Sequence, residues 1–572
     1  MDKDSPFVLY HNGKIYTADK SDSVHDAMAV KDGRVLAVGT DEAVTGLCGG
    51  AAERKDLGGN TVIPGLVDAH LHPFWGGVTL TGRSLGYREL PVPKILARLR
   101  GFLEEEAQLC SWDQWLLVTC WYRSVGDDPT RDLLDSLPTK RPIVIFSDDC
   151  HFAALNSAAM GRLSISKGGT EPKDGWIRLD PQKELNGILE DGPAMRAFDQ
   201  VMRLLGRADH YGFMRNAFRA LAAQGVTTIM DARGTREYLE LASSLEGSGE
   251  LPLRYVCAVE PRGNGYRGPG DAKGSVANCA KLRDNFDSGD WEPRPSISVG
   301  HLKFFVDGMP STQTAFMLEP YNVNRGTESS PDWVPGDWRG KPYFEPGELE
   351  ALVLEGADRG FHPHFHVIAD GAAQISLDAV RAMRGRHPGA DLRPALAHLD
   401  LVAPSQYKEM VELGAFAVLS FQWAGQDSGL IKSQLGIYGP ERFRGLETHA
   451  RFLDHGVKVA YGSDWPVEPL DEWGNFQVGM TRRLLPDPAG QRPRLDNDRD
   501  LTMLEILRAA TITAATSLGK ESLVGSLEKG KFADFAVVEG DLLARDKESV
   551  RETRVLRTVV GGMTVYEAQN PK

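Results

Sequence analysis

Residues 62–72 read VIPGLVDAHLH. The middle of that stretch is apolar without alternation, the pattern of a parallel strand covered on both faces. It ends on His70 and His72, which share one side of an extended chain, so both imidazoles can turn toward one ion. Seven further strand-like runs follow, at 226–232 (VTTIMDA), 253–259 (LRYVCAV), 297–308 (ISVGHLKFFVDG), 360–369 (GFHPHFHVIA), 394–402 (PALAHLDLV), 416–423 (FAVLSFQW) and 457–466 (VKVAYGSDWP). Helical stretches, 210–223 and 346–359 among them, separate most of these runs. Eight strands with crossover helices are the count of an α/β fold of the (β/α)8 TIM-barrel type, expected to span 64–524.

The interval between the first two runs far exceeds the few tens of residues that a crossover needs. It holds strand-like runs of its own at 115–121 and 142–147, so an inserted α/β domain is expected at 73–208. Sitting in the first loop on the C-terminal face, it would roof the barrel mouth. The two chain ends are rich in short β-prone runs around Asn12-Gly13, Asp32-Gly33 and Gly561-Gly562, which are hairpin signals. Neither end has strands enough for its own core. A composite β-sandwich of 1–63 plus 525–572 is the economical arrangement.

Composition narrows the function. The 572 residues are 41% hydrophobic and 25% charged, which excludes disordered and collagen-like classes. The net charge of −14 argues against nucleic acid or an anionic membrane as partner. The N-terminal residues carry no apolar leader segment, and no run approaches the ~20 apolar residues of a membrane span. A cytoplasmic protein acting on a small molecule is expected, with a homodimer as its assembly. The cysteines, at 48, 110, 120, 150, 257 and 279, are scattered without short-range pairing, which suits reduced thiols rather than disulfides or a zinc–thiolate site.

The chemistry-bearing residues fall at strand ends. His366 ends the fifth run, His398 lies in the sixth and Asp464 follows the eighth. Each alone is an ordinary core or loop residue, but with His70 and His72 five metal-ligand types would face one rim. Lys303 stands inside the fourth apolar run, where burial disfavours an ammonium ion. Two explanations are open. Carboxylation would turn it into a carbamate that bridges two cations; otherwise it snorkels outward or pairs with Asp307.

The set His70-Leu-His72, Lys303, His366-Val-Ile-Ala-Asp370, His398 and Gly462-Ser-Asp-Trp-Pro466 resembles the amidohydrolase superfamily. More closely it is similar to the amidohydrolase family 3 branch, the YtcJ-like metal-dependent hydrolases that include N-substituted formamide deformylase. The resemblance runs from Val62 through Asp307-Gly308 and 311–315 (STQTA) to 525–534 (GSLEKGKFAD). It implies hydrolysis of an amide-type C–N bond with Asp464 as catalytic proton shuttle. It also implies two divalent metals, zinc first, with manganese, iron or cobalt compatible. In that scheme His70, His72 and Asp464 hold one ion, His366 and His398 the other, and carboxylated Lys303 bridges them.

Around these, His151, Trp75, Asp307, Gln313 and Trp423 are the expected substrate-binding residues. The chain departs from its relatives at Cys150, Gln313 and 119–122 (TCWY), all expected near the pocket. Trp75, Trp121, Trp423 and Trp465 flank the proposed rim and suit an N-alkyl or aryl group, although ordinary packing explains each equally well. Glu190 reads as a site acid or as a solvated loop carboxylate. His362 and His364 share the side of His366 and are expected to stand behind the ligands. A deaminase or an ester or lactone hydrolase fits the same residues. A non-catalytic regulatory barrel would be expected to have lost one of the six ligand types, and all six are present.

Overall fold

The computed structural model describes residues 7–48, 52–106, 115–123, 128–149, 151–167, 172, 174–263, 268, 270–327, 330–485 and 492–569. Its centre is a sheet of β1 (Leu66–Leu71), β2 (Val226–Gly234), β3 (Arg254–Val259), β4 (Ile297–Phe305), β5 (His362–Val367), β6 (Ala395–His398), β7 (Phe416–Leu419) and β8 (Lys458–Tyr461). The strands lie in that order, every pairing parallel. Each expected run coincides with a strand, and seven of the eight contain theirs; β2 continues two residues past its run, to Gly234. Most of the other strands are shorter than their runs because the last residues peel off into the loops that carry the polar side chains. Apolar positions on both faces explain why β1, β3 and β7 are buried throughout.

The edge strands β1 and β8 meet through their C-terminal extensions. Asp464 N–H donates to His70 O (2.7 Å) and His72 N–H to Trp465 O (2.8 Å). Ser463 donates its N–H to Asp68 Oδ1 (3.0 Å) and its hydroxyl to Asp68 Oδ2 (2.5 Å). Gly462 makes this approach possible, since a Cβ there would lie 2.6 Å from His70 Cβ. Gly462→Ala is therefore expected to destabilise the fold by about 1–3 kcal/mol and to weaken metal retention, read by urea unfolding and by metal analysis of the dialysed protein.

Inside the barrel, register builds layers. His301 pairs opposite His362, Lys303 opposite His364 and Phe305 opposite His366. The two-residue period of a strand thus stacks three polar or aromatic tiers toward the C-terminal mouth.

Between β1 and β2 lie helix Pro73–Thr81 and a six-stranded sheet in the order 175–179, 185–191, 152–155, 143–147, 116–122, 83–89. The expected runs at 115–121 and 142–147 are two of its strands. The amphipathic helix Gly192–Leu204 buries Ala194, Phe198 and Val201, and Phe198 stacks on Trp75 at 4.4 Å. That contact ties the segment to the helix that leaves β1.

Strands from both chain ends share one sheet, in the order 563–567, 555–560, 535–538, 61–64, 14–16, 24–25, beside a four-stranded sheet of 34–39, 27–31, 8–11 and 53–56. The Asp32-Gly33 and Gly561-Gly562 pairs close hairpins with left-handed backbone at both residues. Asn12-Gly13 does not. Strands 8–11 and 14–16 enter different sheets, because Gly13 is pressed against Leu57 and Asn60, and strand 14–16 pairs in parallel with 61–64 instead. Cys48, Cys120, Cys257 and Cys279 are buried free thiols; Cys110 and Cys150 lie outside the described residues. No helix among the described residues is long and apolar enough to cross a membrane.

Candidate metal centre

Six side chains converge at the C-terminal mouth. His70 comes from β1 and His72 from just beyond it, Lys303 from β4, His366 from β5, His398 from the end of β6, and Asp464 from the loop after β8. Asp464 stands between the two histidine groups. Its Oδ1 lies 3.4 Å from His70 Nε2 and 3.3 Å from His72 Nε2, and its Oδ2 lies 3.8 Å from His398 Nδ1. The ring of His398 is 4.7 Å from that of His70 and 4.6 Å from that of His366. Lys303 Nζ is 3.3 Å from His70 Nε2.

Several neighbours fix these rings. His364 Nε2 is 2.7 Å from His70 Nδ1, so it stands behind His70 and fixes its orientation. Trp423 stacks on His398 at 5.2 Å. Asp307 Oδ1 is 3.6 Å from His366 Nδ1. The backbone is left-handed at His398 (φ 80°) and Asp464 (φ 55°), a conformation costing on the order of 1 kcal/mol or more at non-glycine residues. The site thus stores strain in aiming two of its ligands.

The donor set fits a divalent cation. One ligand atom each from His70, His72 and Asp464 all lie within 4.8 Å of one another. Asp464 Oδ1, His366 Nδ1 and both ring nitrogens of His398 are buried without a hydrogen bond among the described residues. Buried polar atoms are rarely left so, and a cation would satisfy them. Imidazole and carboxylate donors admit zinc, manganese, iron or cobalt.

Burial sets the protonation states. It holds the pKa values of His70, His364, His366 and His398 well below the usual histidine range, with like charge from neighbouring Lys303 or histidines acting in the same direction. These rings are neutral, the form that binds metal. Burial also pushes Lys303 down to about 7. The outward path for Lys303 is closed, as the residue is 0% exposed. The alternative of pairing with Asp307 is not realised, because the Asp307 carboxylate accepts N–H from Phe316, Ile368 and Ala369, and burial raises its own pKa to about 7.

Over the centre lies a cavity in two compartments. The smaller, about 40 Å3, faces His72, His366, His398 and Asp464 and is walled by Trp75 and Trp423. The larger, about 330 Å3, reaches Lys303 and Asp307. His151 lines both. Burial opposes its charge, but the hydrogen bond and charge of Asp191, with Nδ1 to Oδ1 at 2.6 Å, outweigh that and raise its pKa. Gln313 stands apart. It is exposed on a left-handed turn, lines neither compartment, and its carbonyl accepts from Trp338 Nε1 (2.8 Å).

The rim tryptophans divide. Trp121 is buried in the core of the inserted segment and Trp465 packs against Gly76, so neither lines the cavity. Glu190 is not a solvated carboxylate: it is buried and accepts from Arg123 (3.1 Å) and Arg178 (2.5 Å). His362, at the far end of β5, accepts from Arg393 N–H (3.0 Å). The expectation at Cys150 lies outside the described residues. Sequence reasoning missed three residues. Asp68 latches β8, and its place two residues before His70 was the available signal. Asp191 and Arg233 carried none, since their partners His151 and Asp199 are remote in sequence.

Comparison with known proteins gives the family and the fold. The sequence pattern of the family described as "Amidohydrolase family" matches residues 55–566. The putative amidohydrolase YtcJ of Bacillus subtilis is 25% identical over 98% of this chain and 99% of its own length. The N-substituted formamide deformylase of Arthrobacter pascens is 26% identical, with 97% of each chain covered. Protein LONG AFTER FAR-RED 3 of Arabidopsis thaliana is 23% identical over 98% of this chain and 91% of its own. An uncharacterized metal-dependent hydrolase from Pyrococcus horikoshii shares the fold, with a TM-score of 0.70 at 21% identity over 95% of this chain and 99% of that one.

Proposed function

This chain belongs to the amidohydrolase family, hydrolases of carbon–nitrogen bonds, and from that premise we propose a metal-dependent hydrolase that cleaves an amide-type bond of a small molecule with Asp464 as proton shuttle. The reading is carried by the position of Asp464, whose two oxygens lie 3.3–3.8 Å from three of the histidines and which lines the cavity. His70, His72 and Asp464 would hold one divalent ion, His366 and His398 a second, and Lys303 as a carbamate would join them. Bound there, the cations supply Lewis acidity, which polarises a carbonyl and lets water react near neutral pH.

The rest falls to the protein. Asp464 takes a proton from the attacking water at a carboxylate oxygen and delivers it to the departing amine nitrogen. His151, kept protonatable by Asp191, lines both compartments and would donate to the substrate's carbonyl oxygen. The inserted segment covers the mouth and limits water around the reacting bond. We read the chain as a barrel at 64–524, an inserted domain at 73–208 and a terminal unit of 1–63 plus 525–572. The similarity to a protein named for N-substituted formamides puts those compounds first in a panel of amides, formamides and esters tested on metal-loaded protein. Turnover of an amide with esters untouched supports the reading; turnover of esters alone overturns it.

The pKa of Lys303 yields a pH test. Only the neutral amine adds to CO2, and the folded-state value is pushed down to about 7. Metal uptake is therefore expected to fall as pH drops through about 7, while His70, His366 and His398 stay neutral well below that point. Titration of metal binding at fixed bicarbonate checks this, and the inflection should vanish in Lys303→Ala.

A further inference from the structure

Between helix Gly192–Leu204 and the two helices that follow it lies an open groove of about 380 Å3. It shares no lining residue with the cavity over the metal centre. Three arginines reach it from three helices. Arg203 comes from the last turn of Gly192–Leu204, and Arg207 and Arg236 open helices Arg207–Ala223 and Arg236–Gly247. Their charges are largely unspent. Arg203 and Arg236 form no hydrogen bond or ion pair among the described residues, and Arg236 approaches only the Phe286 ring, at 6.0 Å. Arg207 Nη1 lies 3.6 Å from Glu240 Oε2, on a side chain 70% exposed, where an ion pair contributes little.

Two carboxylates line the same groove, Glu237 and Glu240. Glu237 is already engaged by His210, whose Nδ1 lies 2.7 Å from its Oε1 and whose Nε2 lies 2.9 Å from Met202 O. Both partners are acceptors, so this buried imidazole carries a proton on each nitrogen and a positive charge. The groove thus sets four cations against two carboxylates, an excess of two positive charges in a chain of net charge −14. Asp209 is exposed nearby and does not line it. The cations repel one another, and a dianion would cancel the excess. Guanidinium groups pair with phosphate oxygens through two parallel hydrogen bonds, and a phosphate monoester is a dianion above its second pKa of about 6. Leu205 and the buried Leu241 add an apolar wall.

We propose that this groove is a binding site for a phosphate group, held by Arg203, Arg207 and Arg236. It is separate from the metal centre and does not depend on the hydrolytic reading.

Isothermal titration calorimetry on full-length, metal-loaded protein tests it, at about pH 8 and fixed ionic strength, with phenyl phosphate, inorganic phosphate and phenol. Phosphate can also bind a metal centre, so the groove variants decide. Arg203→Ala/Arg236→Ala is expected to weaken phenyl phosphate roughly tenfold or more, and Arg100→Ala, on the exposed side of helix 92–106, to leave it unchanged. Arg203→Lys/Arg236→Lys keeps the charge and guards against loss of fold; it should weaken binding about threefold, because an ammonium cannot pair with two oxygens at once. Tighter binding of phenyl phosphate than of inorganic phosphate would identify an organic phosphate resting on the two leucines. Equal binding would identify free phosphate, and either result keeps the site. Affinity for phenyl phosphate unchanged in both arginine variants, phenol binding as tightly as phenyl phosphate, or no phosphate binding in the wild type overturns the proposal.

Discussion

Asp464→Asn lowers kcat by a factor on the order of 10³ while the protein still binds metal. The asparagine keeps the shape of the side chain and one carbonyl oxygen, so the left-handed loop at φ 55° and its N–H bond to His70 O are retained. It cannot accept a proton. His70 and His72, whose ligand atoms lie within 4.8 Å of that of Asp464, would remain to hold the proposed ion. Steady-state kinetics, with metal measured on the same sample, separates the two effects. Near-normal kcat in a metal-loaded variant removes Asp464 from the shuttle role.

Lys303→Ala is expected to reduce bound metal from about two ions to about one per chain, with a loss of turnover of order 10²–10³, the size seen when one preorganised charge is removed from a reaction centre. The physical ground is the lysine's isolation. It is 0% exposed, lies 3.3 Å from a histidine nitrogen and forms no carboxylate ion pair among the described residues. A free ammonium so placed would be repelled by two cations; a carbamate would be drawn to both. Elemental analysis after reconstitution with and without bicarbonate reads the difference. Retention of two ions by Lys303→Ala contradicts the bridging role.

Much of the barrel was legible because parallel strands buried on both faces leave continuous apolar runs, and all eight were present. Most of their ends were read too long, since the loops that follow, such as 462–466 (GSDWP), stay buried while they carry the polar residues of the site. The ligand types were legible for a related reason: on an alternating strand, His70 and His366 break an apolar pattern at its C-terminal end. Three things were not. The Asn12-Gly13 turn has hairpin composition, but its neighbours Leu57 and Asn60 send the chain into a second sheet, a tertiary effect without local signature. The burial of Trp121 and Trp465 depends on which side of a strand or loop meets the core. The pairing of His151 with Asp191, and of Arg233 with Asp199, joins residues that no short-range pattern relates.

The central claim is a cation centre assembled from β1, β4, β5, β6 and the loop after β8. Anomalous diffraction from metal-loaded crystals, collected at the metal's absorption edge, tests it most directly. The account predicts one peak about 2.0–2.2 Å from nitrogens of His70 and His72 and an oxygen of Asp464. A second should lie at similar distance from His366 and His398, with density continuing beyond Lys303 Nζ to both. Metal bound elsewhere on the chain, or an unmodified Lys303 beside an empty centre in a catalytically active crystal, would contradict it.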